Sequence, residues 1–275
     1  DYSPYVGMVI SGGVGSSWVN NYAKDGYPIP CVSMQQDGPR SDKWGWTGSK
    51  KNNDGGGQMM VTKSYDVETA KMEVTDNSHF ITSVYNVGDL ITWTSGTADS
   101  LDWSGNEVKS YNLSDSIPEA VALATIPADG SLLTTMWAVP SGVSVRSLTA
   151  EGYSRVTLAN RIVFMALFND GLVYATDGYG ELLVRSLEWA LGYASDASLA
   201  SLTPSEGTLS PEFKAEKTEY QLNLPAGTST VSFSAEASSP YATVALPEAL
   251  ALSDGMTTTA TVSVSSADGT VTQDY

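Results

Sequence analysis

A break in composition near Ser195 constrains this chain more than any motif does. All seven tryptophans, the one cysteine and the one histidine lie before it. After it Ser, Thr, Ala and Val alternate, and only Lys214 and Lys217 remain of the 14 bases. One core pattern does not serve both alphabets, so the 275 residues are expected to form two domains. The break follows a helix pattern over 176–193, in which Leu182, Leu183, Leu187, Ala190 and Leu191 recur at helical spacing. Asp177 is the expected N-cap, and Gly192 ends the run. Residues 194–198 read as a short linker, which sets the expected domains at 1–194 and 198–275.

The first part alternates strand and helix signals. Val6–Ile10 is a continuous apolar run, as expected of a strand buried on both faces. Residues 11–15 form a turn, and Ser16 or Ser17 can cap a short helix through Tyr22. Further strands are expected at 29–34, 90–93, 120–125, 132–139 and 161–167. A strand, turn, helix and strand in that order make a βαβ unit, so the expected fold is α/β with a mostly parallel, flavodoxin-like sheet. Residues 37–58 read as a long polar loop holding Trp44 and Trp46.

The second part reads as an all-β sandwich, with period-two alternation and turn signals every ~8–12 residues. Val262, Val264 and Val271 are expected to face inward, and Ser263, Ser265 and Thr270 outward.

Charge and composition narrow the function classes. The net charge is −17, with Lys50-Lys51 the only local basic cluster, so nucleic acid is a poor partner. No apolar run reaches the ~20 residues that span a bilayer. One cysteine excludes an intrachain disulfide, and one histidine excludes a Cys/His zinc site. Neither metal nor cofactor is expected. The chain starts without a basic leader, and a fragment of a longer, multidomain parent is the expectation.

Residues 198–275 resemble the cadherin-like β-sandwich domain of secreted bacterial proteins. The resemblance rests on residues 198–213 (SLASLTPSEGTLSPEF), 218–225 (TEYQLNLP) and 266–275 (SADGTVTQDY). That family continues with one more strand after the tyrosine, so truncation at the last strand is expected. Residues 5–193 resemble the glutamine-amidotransferase-like superfamily in its ThuA-like branch. The carriers are 9–13 (VISGG), 28–33 (PIPCVS), 161–168 (RIVFMALF) and 176–192 (TDGYGELLVRSLEWALG). The family has further βα units before the glycine-pair strand, so the sheet is expected to be incomplete, with a free edge.

The resemblance also implies where chemistry would sit. The glycine pair falls on Gly12 and Gly13, whose N–H groups would hold an oxyanion. The nucleophile position falls near Ser33 rather than on a cysteine, since Cys31 stands two residues earlier. The family's His-Pro-Glu falls on about Phe168, Asn169 and Asp170, so the base is missing. A thiolate or alkoxide nucleophile needs such a base, and an amidotransferase triad is not expected. His79 is the one substitute base; its plain alternative is a loop histidine that positions a turn, with Asp76 as a turn-former. Cys31 is expected to be buried and inert. Trp44 and Trp46 would either stack on sugar rings or fold back over the sheet. Residues 54–58 are read as a flexible loop without phosphate-cradle signals, and 266–269 as a hairpin turn.

The expectation is therefore a non-catalytic binding or scaffolding module of a secreted or cell-surface protein. Its expected partners are a polysaccharide or another surface protein, with Gly12, Gly13, Ser33, Trp44 and Trp46 as ligand-binding candidates. The alternatives are a hydrolase with an atypical Ser33/His79 site, and a spacer for a catalytic neighbour.

Overall fold

The computed structural model describes residues 2, 4–11, 16–35, 37–40, 43–46, 59–63, 71–93, 95, 107–111, 117, 119–125, 134–165, 172, 175–253 and 255–275. The chain divides into two compact units, Asp1–Leu191 and Gly192–Tyr275.

The first unit runs β1 (Met8–Ile10), α1 (Ser16–Lys24), β2 (Cys31–Ser33), β3 (Met59–Lys63), β4 (Lys71–Val74), β5 (Leu90–Thr92) and β6 (Glu107–Tyr111). It continues with β7 (Val121–Thr125), β8 (Thr134–Val139), β9 (Ser144–Thr149), β10 (Gly152–Thr157), β11 (Ile162–Met165) and α2 (Asp177–Ala190). The main sheet follows the order β1-β2-β11-β8-β7-β4-β5, with β6 joining β8 and β3 joining β6.

The sheet is mixed, which corrects the expectation of a mostly parallel one. Among the described residues only β1 with β2 and β2 with β11 pair in parallel. The pairings β11–β8, β8–β7, β7–β4, β4–β5, β3–β6 and β6–β8 are antiparallel. The reason lies in the connections. Parallel neighbours need a long crossover, which α1 supplies between β1 and β2. Between β8 and β11 the chain makes only the antiparallel excursion β9–β10, and so returns in the opposite direction. A period-two signal marks β4, where Met72 and Val74 are buried between Lys71, Glu73 and Thr75.

The helices follow their apolar spacing. In α1, Val19, Tyr22 and Ala23 are buried at i, i+3 and i+4. In α2, Tyr179, Leu182, Ser186 and Trp189 turn inward. Its N-cap is Thr176 rather than Asp177: the Thr176 hydroxyl accepts from the Tyr179 N–H at 3.3 Å. Gly192 follows the C-terminus at φ 92°, a left-handed turn that glycine adopts without steric cost.

The second unit is all β: β12 (Leu199–Pro204), β13 (Thr208–Ser210), β14 (Gln221–Asn223), β15 (Thr230–Val231), β16 (Phe233–Ala237), β17 (Thr243–Ala245), β18 (Leu250–Ala251), β19 (Ser263–Ser265) and β20 (Thr272–Asp274). Its pairings are all antiparallel. Leu199, Leu202, Val262, Val264 and Tyr275 form the core. The Tyr275 hydroxyl accepts from the Leu199 N–H at 3.0 Å and donates to the Ala215 carbonyl at 3.0 Å. Val262 and Val264 face inward as expected. Val271 does not stay covered: it is 39% exposed. It sits where the β19–β20 hairpin closes.

Candidate functional site

The carboxyl edge of the three parallel strands is where an open α/β sheet offers a ligand crevice. Ile10, Ser33 and Phe164 stand side by side there, in register. The Tyr22 hydroxyl of α1 donates to the Ile29 carbonyl at 2.7 Å and lies against the Cys31 thiol. Cys31 therefore faces α1, and Ser33, two residues on, faces the same way. Ser33 has no solvent exposure, and its Oγ has no hydrogen-bond partner. Its row continues through Phe164, which stacks on Trp137 at 4.0 Å.

Cys31 is likewise sealed, at 1% exposure. Burial pushes its thiol pKa far up, and the Tyr22 hydrogen bond offsets this only in part. It remains a neutral thiol.

His79 stands in the turn that precedes β5, and its ring is committed to structure. Its Nδ1 accepts from the Ile81 N–H at 3.2 Å. The ring lies 5.0 Å from the Trp189 indole, and the His79 carbonyl accepts from the Thr82 N–H. Asp76 accepts from both the N–H and the hydroxyl of Ser78, an Asx turn. No Ser33–His79 hydrogen bond exists, because Ser33 Oγ bonds to nothing.

A residue that the sequence reading passed over holds this turn. Arg185 is buried inside α2 and donates to the Ile81 carbonyl at 2.9 Å, to the Phe80 carbonyl and to Ser83 Oγ at 2.9 Å. Its guanidinium stacks on Phe80 at 4.3 Å. The signal was an arginine inside the inward stripe of Leu182, Ser186 and Trp189.

Trp44 and Trp46 are both fully buried: of the two expected placements they take the folded-back one, and they do not form an exposed sugar platform. Trp44 Nε1 donates to the Val19 carbonyl at 2.8 Å, and Trp46 Nε1 donates to the Tyr27 hydroxyl at 2.7 Å. With Tyr22 they form one aromatic cluster, with ring centroids 5.1 to 6.0 Å apart. An indole excluded from water needs both a packed face and a partner for its N–H, and this cluster supplies both. Gly45 lets the two indoles fold back. Its φ is +83°, and a Cβ there would stand 2.6 Å from Arg146 Nη1 and 2.7 Å from the Tyr153 ring.

Gly12, Gly13, residues 47–58 and 168–170 lie outside the described residues. Among the described residues, no group of three His, Cys, Asp or Glu side chains gathers to hold a metal. Nor is any described helix long and apolar enough to cross a membrane. In the second unit, residues 266–269 form the expected turn between β19 and β20. Asp268 Oδ1 accepts from Ser266 Oγ at 2.9 Å and from the Thr270 N–H at 3.0 Å and Oγ1 at 2.6 Å. Against known proteins, the chain matches no family model and no curated sequence.

Proposed function

We propose that this chain is a non-catalytic scaffolding or binding module of a secreted or cell-surface bacterial protein. On this reading the first unit is an amidotransferase-like, flavodoxin-related α/β domain, and the second is a cadherin-like sandwich. One observation carries the proposal. At the strand end where the nucleophile would stand, Ser33 is sealed from solvent with its hydroxyl unbonded, while the chain's one histidine is tied into a turn. Nucleophilic catalysis needs the hydroxyl, a base within hydrogen-bond reach and access for substrate. With Trp44 and Trp46 in the core, another surface protein is favoured over a polysaccharide as partner.

The test is a screen of the purified chain against chromogenic esters and anilides, beside Ser33→Ala. Rates equal to the buffer control in both proteins are expected. Turnover that disappears in a folded Ser33→Ala variant overturns the reading in favour of the Ser33/His79 hydrolase.

A further inference from the structure

The exposed face of the β9–β10 hairpin carries an inference that does not rest on the scaffold reading. Arg146 of β9 and Arg155 of β10 stand directly opposite one another in the ladder. Both are exposed, while Val145 and Ser147, on either side of Arg146, are buried. Like charges so placed have Cβ atoms about 5 Å apart and repel. Acids outnumber bases by 31 to 14 in this chain, yet among the described residues no carboxylate pairs with either arginine.

Uncharged partners hold both guanidiniums in place instead. Arg146 Nη1 donates to the Gly45 carbonyl at 3.0 Å, and its guanidinium lies 4.2 Å from the centre of the Tyr153 ring. Arg155 donates from Nε to Ser144 Oγ at 3.1 Å and from Nη2 to the Ser144 carbonyl. Side chains already held lose little further freedom on binding, and each guanidinium keeps N–H donors to spare. Tyr153, 41% exposed, adds a ring to the same face, and its hydroxyl donates to the Lys43 carbonyl at 3.3 Å. Asp37 is taken by Arg40 at 3.2 Å, and Glu151 stands in the hairpin turn.

Charge and register together select the occupant. Among the described residues β10 pairs with β9 alone, so its other side is an edge. A strand added there carries every second side chain on the face of Arg146 and Arg155, in line with them. A second β10 would bring its own arginine to a face that already holds two, and a charge on an edge strand turns such copies away. An acidic strand brings carboxylates, which guanidiniums take in paired, charge-assisted hydrogen bonds. An acidic glycan would meet the charges and leave the backbone edge unused. We infer that this hairpin captures an extended acidic peptide of another protein, which adds to the β10 edge and sets alternate carboxylates along the arginine row.

Fluorescence anisotropy of the whole chain with a labelled peptide of alternating glutamate and threonine tests this. A lysine–threonine peptide and labelled oligogalacturonate run beside it. The glutamate peptide is expected to bind with a dissociation constant below about 1 mM, and more weakly as salt rises. It is expected to protect the Tyr153–Thr157 amides from hydrogen exchange, and the lysine peptide is expected not to bind. Arg155→Glu is expected to weaken binding roughly tenfold or more, and Arg155→Lys less. Arg146→Gln is expected to weaken it in the same direction, and circular dichroism confirms that the variants fold. Absence of glutamate-peptide binding up to that concentration overturns the inference. So does binding that Arg155→Glu and Arg146→Gln leave unchanged, equal binding of the lysine peptide, or binding that leaves residues 153–157 unprotected. Oligogalacturonate binding as tightly as the peptide overturns it too, because the face then takes any polyanion.

Discussion

Replacing Tyr27 by Phe probes what holds the first unit's aromatic cluster together. Tyr27 is fully buried, and its hydroxyl bonds to Trp46 Nε1 at 2.7 Å and Ser147 Oγ at 2.5 Å. An indole N–H only donates, so the tyrosine oxygen accepts from Trp46. Ser147 Oγ donates its one proton to the Leu148 carbonyl at 3.2 Å, so Tyr27 donates to Ser147. Burial pushes the Tyr27 pKa up, outweighing its two hydrogen bonds, which keeps that proton in place. The substitution preserves the ring and its edge contacts with Tyr22 and Trp44 at 5.2 and 5.8 Å. It leaves a buried indole N–H without a partner, at a cost of about 1–3 kcal/mol. With a urea dependence of about 2 kcal/mol per molar, the midpoint falls by roughly 1 M. Tryptophan fluorescence is the assay, because all seven tryptophans precede Ser195 and report the first unit alone. Trp46→Phe removes the donor as well, so a double-mutant cycle is expected to show coupling of about 1 kcal/mol or more. A Tyr27→Phe cost below about 0.5 kcal/mol, or an uncoupled cycle, refutes the reasoning.

Four other outcomes are expected. Gly45→Ala meets both a positive φ and contacts under 3 Å, so the first unit is expected to lose about 2 kcal/mol or more in the same urea assay. Arg185→Met keeps the stem but strips three hydrogen bonds from the 80–83 turn, and hydrogen exchange of that turn is expected to rise, with a loss of about 2–4 kcal/mol. Ser33→Ala removes a hydroxyl that bonds to nothing, so thermal unfolding is expected to be unchanged or to move up, equivalent to about 0–1 kcal/mol. At Asp268 burial acts to raise the pKa, but hydrogen bonds from Thr270, Ser266 and Ser195 outweigh it and hold the folded value below the ordinary one. Its contribution to the second unit is therefore full above about pH 4 and lost as pH falls through the lowered folded value. Asp268→Asn is expected to flatten the acid limb of the unfolding profile of that unit, followed by far-ultraviolet circular dichroism.

Much of the local structure was legible in the sequence because local rules govern it. A serine cap after a turn marked α1, helical spacing marked α2, and apolar runs marked β1, β2, β7, β8 and β11. The all-β character of the second unit was legible for the same reason, in Val262 and Val264 against Ser263 and Ser265. Cys31 was readable as inert from its apolar neighbours alone. Asp76 and residues 266–269 were readable as turns, because Asp and Gly satisfy the backbone locally.

What required the tertiary structure were the facts that depend on distant partners. Strand direction is one: an apolar run looks alike in parallel and antiparallel neighbours, so the mixed order around β8 emerged only from how the chain returns through β9 and β10. The fate of Trp44 and Trp46 is another, because an indole's exposure depends on whether Val19, Tyr27 and Ser147 stand ready to receive it. The surroundings of Ser33 and His79 are a third. Sequence supplied a hydroxyl and an imidazole, and long-range packing placed one in a dry apolar row and set the other 5.0 Å from the Trp189 indole.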